Sequence, residues 1–451
     1  MAELILGPID ELPQLRTNTT LLLGFALPDR LDRAEVLKCL QAATNTLVDK
    51  FPYLAGQITV SEASEDKLDA SKHVPGHSVA VIQNDLSEDF PHYQQIINAK
   101  APASMLDGSR VSQGDGFPTF SSGHALDPCF GMKANFVRGG LLLTFALSHS
   151  IGDGTSLGQV IKMFATACRG DIISKADIEA GNMNRLLSLP SLRSGENLLE
   201  HSDITVDTTA ERTTPINKDE ETTAPLKRWA YFRISDEKLA QLKAEALADL
   251  SVDDRNLLIS SNDGFTVLIW RAITLARLPH LDPNAVTTIL RAVNCRRKLD
   301  PPLPDTTLQN IVTVTHTRSS LQDFSKIPLG TLASKLRKDL LGLNDHHVRS
   351  MATHLRSTRD KNLIRFGARF TPSDMVISSF AHMPICTSDF GPLLGQPNFV
   401  RRPTLTAADG VVYLMPKNAD GSIDAAISMR VDDLERMHLD EKWAYYTEYI
   451  G

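Results

Sequence analysis

Residues 147–156 read "LSHSIGDGTS", and two of them could do chemistry. His149 is the first ionisable side chain after the apolar run "GGLLLTFAL". An imidazole has an ordinary pKa of about 6.5, so near neutral pH it can take a proton and return it. That is what a transfer reaction needs when the nucleophile is an alcohol or an amine. Asp153 follows four residues later, between Gly152 and Gly154, which allow a tight, left-handed backbone around the carboxylate. The plainer readings are a strand-end histidine satisfied by a carbonyl, and an aspartate that caps the helix behind it.

The flanking elements decide where such a pair would lie. The run before His149 is apolar on both faces, so it belongs in the middle of a covered sheet. A chain leaving that strand delivers its next residues to the sheet's carboxyl edge, where α/β folds place ligand crevices. "MKANFVRGGLLLTFALSH" reads as a hairpin turning at Gly139-Gly140. Leu157, Val160, Ile161, Phe164 and Cys168 then share one face of a helix that stops near Gly170. Upstream, "TTLLLGFAL" reads as a strand, and Val36, Leu40, Ala43 and Leu47 recur at helical spacing. Residues 65–125 are polar and weakly periodic.

Residues 171–226 are rich in Thr, Ser, Asp, Glu and Pro and read as a long linker. A second αβ series follows. It comprises a strand at "WAYFRIS", helices at "EKLAQLKAEAL" and "SNDGFTVLIWRAITLARL", a strand at "VTTILRAV" and two helices over about 330–358. Strands at "MVISSFAHMP", "GVVYLMPK" and "IDAAISMR" come next, and "DLERMHLDEKWAYYTEYI" reads as a closing helix. The 451 residues therefore divide into an N-terminal domain over 1–170, a crossover over 171–226 and a C-terminal domain over 227–451. The fold class is α/β.

A net charge of −7, spread without long runs, argues against a nucleic-acid binder. No apolar run approaches the roughly 20 residues that span a bilayer. Cys39, Cys129, Cys168, Cys295 and Cys386 are scattered and odd in number, which points to reduced thiols and a cytoplasmic location. His346, His347 and His354 lack the spacing of a zinc site and read as a polar helix face.

The stretch "FVRGGLLLTFALSHSIGDGTSLGQVIKMFA" resembles the HxxxDG signature of the BAHD acyltransferases, including the strand before it and the helix after it. "LVDKFPYLAGQI", "RAVNCRRKLDPPLPDTTLQNIV", "ISSFAHMPICTSDFGPLLGQP" and "LMPKNADGSIDAAISMRVDDLERM" are similar to four further segments of that family, in family order. Within it the likeness is greatest to the fungal trichothecene 3-O-acetyltransferases, which share "FVRRP" after the DFG.

The resemblance implies two chloramphenicol-acetyltransferase-like αβ domains, with mixed sheets flanked by helices. It implies a monomeric acyltransferase that uses acetyl-CoA as co-substrate, with no metal, and acylates a hydroxylated small-molecule acceptor of secondary metabolism such as a trichothecene-like sesquiterpenoid. Neither a nucleic acid nor a membrane is implied as partner. His149 would be the general base, and Asp153 would shape the loop by pairing with Arg291 or Arg296. Ser378 and Ser379 correspond to positions near the pantetheine. Asp389 and Gly391 of the DFG segment would be structural, with Asp389 paired to Arg296.

Arg401 and Arg402 are candidates for a coenzyme phosphate, against the simpler reading of an exposed, solvated pair. His382 is a candidate for the acceptor pocket. Departures from the family pattern are Pro392 for the tryptophan of DFGWG, Asn294-Cys295 for the Asp-Gly of VDGR, and Ser378-Ser379-Phe380 for TSW. Asn310 keeps the asparagine of the YFGN segment. Two other readings stay open. One is a condensation-like enzyme fed by a carrier-protein thioester, against which Ser148 before His149 counts. The other is a non-catalytic ligand-binding member of the fold.

Overall fold

The computed structural model describes residues 4–28, 31–60, 71–113, 127–201, 204–206, 225–366 and 371–451. The 65–125 stretch and each of the expected divisions, 1–170, 171–226 and 227–451, are therefore described only in part.

Two sheets dominate. The first has five strands, in the order Phe399–Arg401, Asn18–Ala26, Gly140–Ser148, Phe130–Val137 and Val81–Asp85. All neighbours are antiparallel except the last pair. Gly140–Ser148 is the central strand and every one of its residues is buried, as its two-sided apolar character requires. It pairs along its whole length with Asn18–Ala26. The hairpin turn into it uses Gly139 at φ 77°, a left-handed conformation that favours glycine.

The second sheet has seven strands, in the order Val312–Ser320, Val286–Asn294, Met375–Ser379, Val411–Leu414, Ile423–Arg430, Lys227–Ile234 and Glu448–Tyr449. Met375–Ser379 runs parallel to both of its neighbours, and the remaining pairs are antiparallel. Both sheets are thus mixed and flanked by helices. The closing segment is not one helix. It divides into Val431–His438, Glu441–Tyr446 and a short strand over Glu448–Tyr449. Val312–Ser320 is a strand that the periodicity reading passes over.

The edge strand Phe399–Arg401 comes from the second half of the chain but completes the first sheet. Gly24 makes the pairing possible: a Cβ there would lie 2.2 Å from the Phe399 ring. The DFG segment packs the same way. Phe390 is fully buried in the first core, its ring 5.1 Å from Phe25 and 6.2 Å from Phe164. Each such ring pair contributes about 0.5–1.5 kcal/mol beyond the area it buries.

Candidate active site

His149 follows directly on the central strand, and its backbone N–H donates to the Thr17 carbonyl at 2.7 Å. The ring is partly buried and lines a cleft, open to solvent, between the two sheets. Thr17, Asn18 of the first sheet, and Asn294, Ser378, Ser379 and Tyr413 of the second face the same space.

The orientation of the imidazole follows from its hydrogen bonds. Its Nδ1 lies 3.1 Å from Asn310 Oδ1. Asn310 Nδ2 donates to the His149 carbonyl and to Asp10 Oδ1, both at 2.7 Å. Both amide protons are thereby placed, so the oxygen of Asn310 must face the ring. An amide oxygen only accepts, hence Nδ1 carries a proton, and in the neutral ring Nε2 keeps its lone pair. Asp10 is held by Arg185 at 2.7 Å, with both side chains almost wholly buried, and Arg185 also donates to the Leu308 carbonyl at 2.9 Å. Burial pushes the imidazole below its ordinary pKa, and its own carbonyl, the Asp153 charge and Asn310 oppose that only in part. At neutral pH the ring is therefore an uncharged base.

Asp153 plays a different part. It caps the Gly154–Cys168 helix, accepting from Ser156 N at 2.9 Å and Ser156 Oγ at 3.0 Å. Arg296 grips it in a fork of 2.8 and 3.0 Å, and Ile311 N–H donates to it at 3.1 Å. Burial raises the carboxyl, but the Arg296 charge and these donors more than offset it and hold the group below its ordinary range. Of the two candidate partners, then, Arg296 takes Asp153, whereas Arg291 pairs with Asp263 at 2.7 Å.

The expected pairing of Asp389 with Arg296 does not occur. Asp389 is exposed, and its Oδ1 accepts from Gly391 N at 2.9 Å, closing a tight turn in which Gly391 has φ 89°. A Cβ on Gly391 would lie 3.3 Å from Arg169 Cα, and Arg169 donates to the Asp389 carbonyl. The DFG turn thus clamps the far end of the helix that begins at Asp153.

The glycines beside Asp153 also differ from expectation. Neither Gly152 nor Gly154 has a left-handed φ. The constraint is space: a Cβ on Gly154 would lie 2.8 Å from the Phe380 ring, and one on Gly152 would lie 2.6 Å from Ser156 Cβ. Ser378 and Ser379 both face the cleft, and Ser379 Oγ accepts from Asn262 Nδ2 at 3.2 Å. His382 is exposed and is not among the residues that line the cleft. Arg401 and Arg402 are buried, not solvated. His347 and His354 make ring contacts with His201, at 4.9 and 6.0 Å.

Sequence reasoning kept Asn310 as a family landmark without assigning it a task, and it missed Asp10 and Arg185. The one local sign of Asp10 is a carboxylate between Ile9 and Leu12, two apolar residues that turn out to be buried. Among the described residues one group could assemble metal ligands, His280 with Asp432 and Asp433, and Arg436 already contacts both of its aspartates.

The family described as "Transferase family" matches residues 2–443. The O-acyltransferase pigD of Monascus ruber is 31% identical over 98% of this chain and 98% of its own. The trichothecene 3-O-acetyltransferase of Fusarium sporotrichioides is 28% identical over 97% of this chain and 95% of its own. The crystal structure of that F. sporotrichioides protein with coenzyme A and T-2 superposes with a TM-score of 0.89 at 27% identity, covering all of both chains. The F. graminearum protein with coenzyme A and deoxynivalenol superposes at 0.90 and 25% identity, again over both whole chains. With the family matched over almost the whole chain and the relatives named as O-acyltransferases and O-acetyltransferases, this protein belongs to the Transferase (BAHD) family and is an acyltransferase.

Proposed function

We propose that the protein is an acetyl-CoA-dependent O-acetyltransferase acting on a hydroxyl of a secondary metabolite, such as a trichothecene-like sesquiterpenoid, with His149 as general base. The observation that carries this reading is the imidazole, held through Nδ1 by Asn310, on a cleft it shares with Ser378 and Ser379. The acceptor O–H proton passes to Nε2 as the oxygen attacks the thioester carbonyl carbon. The tetrahedral intermediate collapses, the C–S bond breaks, and the thiolate takes the proton back from the imidazolium. Base help of this kind contributes about 10²–10⁴-fold in rate. The thioester's pantetheine lies along Ser378 and Ser379. Asp153, Arg296, Asp389 and Gly391 hold the loop and the helix, and no metal takes part.

Two lobes, 1–170 and 227–451, joined by the 171–226 crossover, work as a monomer in the cytoplasm. Five free cysteines suit a reducing compartment.

The test is incubation with acetyl-CoA and a panel of hydroxylated terpenoids and alkaloids, with free thiol as readout. Saturating acetyl-CoA, at about 100 times its Kd, stabilises a binding fold by about 2.7 kcal/mol and raises its melting temperature. Thiol release that depends on the acceptor supports the reading. No thermal shift and no thiol release with any alcohol favour a carrier-protein thioester or a non-catalytic member instead.

A further inference from the structure

Arg402 lines the same cleft as His149 and is only 8% exposed. Its neighbour Arg401 is fully engaged, with Asp424 at 2.7 Å and the carbonyls of Lys100, Ala101 and Val400. The backbone of Arg402 is pinned: its N–H donates to the Tyr231 hydroxyl at 2.8 Å, and its carbonyl accepts from that hydroxyl at 3.0 Å. From there the guanidinium reaches across to the second sheet and lies over the Tyr413 ring, 4.2 Å from its centroid. Tyr413 is the direct neighbour of Ser378 in that sheet.

Among the described residues no carboxylate or carbonyl accepts from the Arg402 guanidinium. The ring takes one face of the plane, and the N–H groups along its edge stay available for a planar or tetrahedral oxyanion. The remaining charge in the cleft is already balanced, since Asp153 is held by Arg296. The guanidinium is largely buried yet not sealed from the open cleft, where an oxyanion of a ligand can pair with it.

We propose that Arg402 binds an oxyanion of the acyl donor in a bidentate fork, beside the position of the pantetheine. This rests on the acyltransferase reading that places the thioester along Ser378 and Ser379. Two parts of the donor carry that chemistry: a phosphate of the coenzyme, or a terminal carboxylate on a dicarboxylic acyl group.

Isothermal titration of the full-length wild type, Arg402→Gln and Arg402→Lys separates them. The probes are acetyl-CoA, acetyl-3′-dephospho-CoA, S-acetylpantetheine and succinyl-CoA. Arg402→Gln is expected to weaken at least one anionic probe about tenfold or more, as loss of a charge-assisted pair does, and to leave S-acetylpantetheine within about twofold. Arg402→Lys restores part of the loss, because the charge returns without the fork, and it serves as the test if the glutamine variant fails to fold. A loss seen with acetyl-CoA but not with its dephospho form assigns the 3′-phosphate. A loss common to both assigns the diphosphate, and a loss confined to succinyl-CoA assigns the carboxylate. Equal weakening of S-acetylpantetheine, or no weakening of any probe, overturns the proposal and leaves Arg402 as a strut against Tyr413. A wild type that binds no thioester fails the acyltransferase reading itself, and the proposal falls with it.

Discussion

Replacing Asp153 by alanine removes the only carboxylate, among the described residues, on a guanidinium with no solvent exposure. Arg296 would keep hydrogen bonds to the carbonyls of Thr307 and Gln309 and to Asn294 Oδ1. Those satisfy most of its protons but carry no formal charge, and one Nη1 proton loses its partner. Stranding a buried cation in this way costs about 3–5 kcal/mol. Loss of the helix cap contributes about 1 kcal/mol to that total. Asp153→Asn keeps an acceptor for Ser156 and removes only the charge, so it should show most of the same loss. Asp153→Leu combined with Arg296→Met removes both ions and should be closer to wild type than either single change.

The assay is urea unfolding followed by circular dichroism at pH 7, beside thiol release on the same preparations. The sign with pH follows from the depressed carboxyl. Its stabilisation is fully present above about pH 4, the ordinary value in the unfolded chain, and is lost as the pH falls through the lower folded value. The destabilisation should therefore be constant from pH 5 to 8 at the order of magnitude considered. Asp153→Asn within about 0.5 kcal/mol of wild type would show that the pair does not hold the fold together. An unchanged midpoint with turnover abolished would place the carboxylate in the chemistry.

His149→Ala should cut turnover by about 10²–10⁴-fold with cooperative unfolding retained, and normal turnover would remove the ring from the mechanism. Asn310→Leu frees the imidazole to rotate and leaves Asp10 without its amide. A fall in kcat of about 10²-fold at little-changed KM is expected, whereas a pure KM effect would make Asn310 a binding residue. The acid limb of kcat/KM should have its midpoint below the ordinary imidazole value of about 6.5, because burial disfavours the cation. A midpoint above 7 would contradict the buried, neutral ring. Gly24→Val drives a side chain into the Phe399 ring and should cost about 1–3 kcal/mol, read as a lower urea midpoint.

The parts of the molecule set by local periodicity could be read from residues alone. The central strand, its hairpin and the helix behind Asp153 each announce themselves within about ten residues. Val312–Ser320 escaped because its inward positions are mostly threonine, so a true period of two looks merely polar. By spacing alone the surroundings of His149 were legible only as far as its contiguous motif, and Ser378, Ser379 and Arg296 came from the family resemblance. Asn310, Asp10 and Arg185 converge on His149 from three distant stretches, and no spacing rule connects them. The glycines around Asp153 were placed correctly for the wrong reason. Their requirement is set by Phe380 and Ser156, and the Phe380 contact is visible only once the second half of the chain has packed against the first.

The edge strand borrowed from the later half makes this a stitched molecule. Severing the crossover would not yield two folding pieces, since the second fragment would carry away the outer seam of the first. Asn18–Ala26 would be left as a naked margin, a template for aggregation. The same stitch sets how traffic reaches the cleft. Halves sewn together along a strand cannot swing apart like a clamshell at that edge, so any ligand must reach the cleft while the seam stays closed.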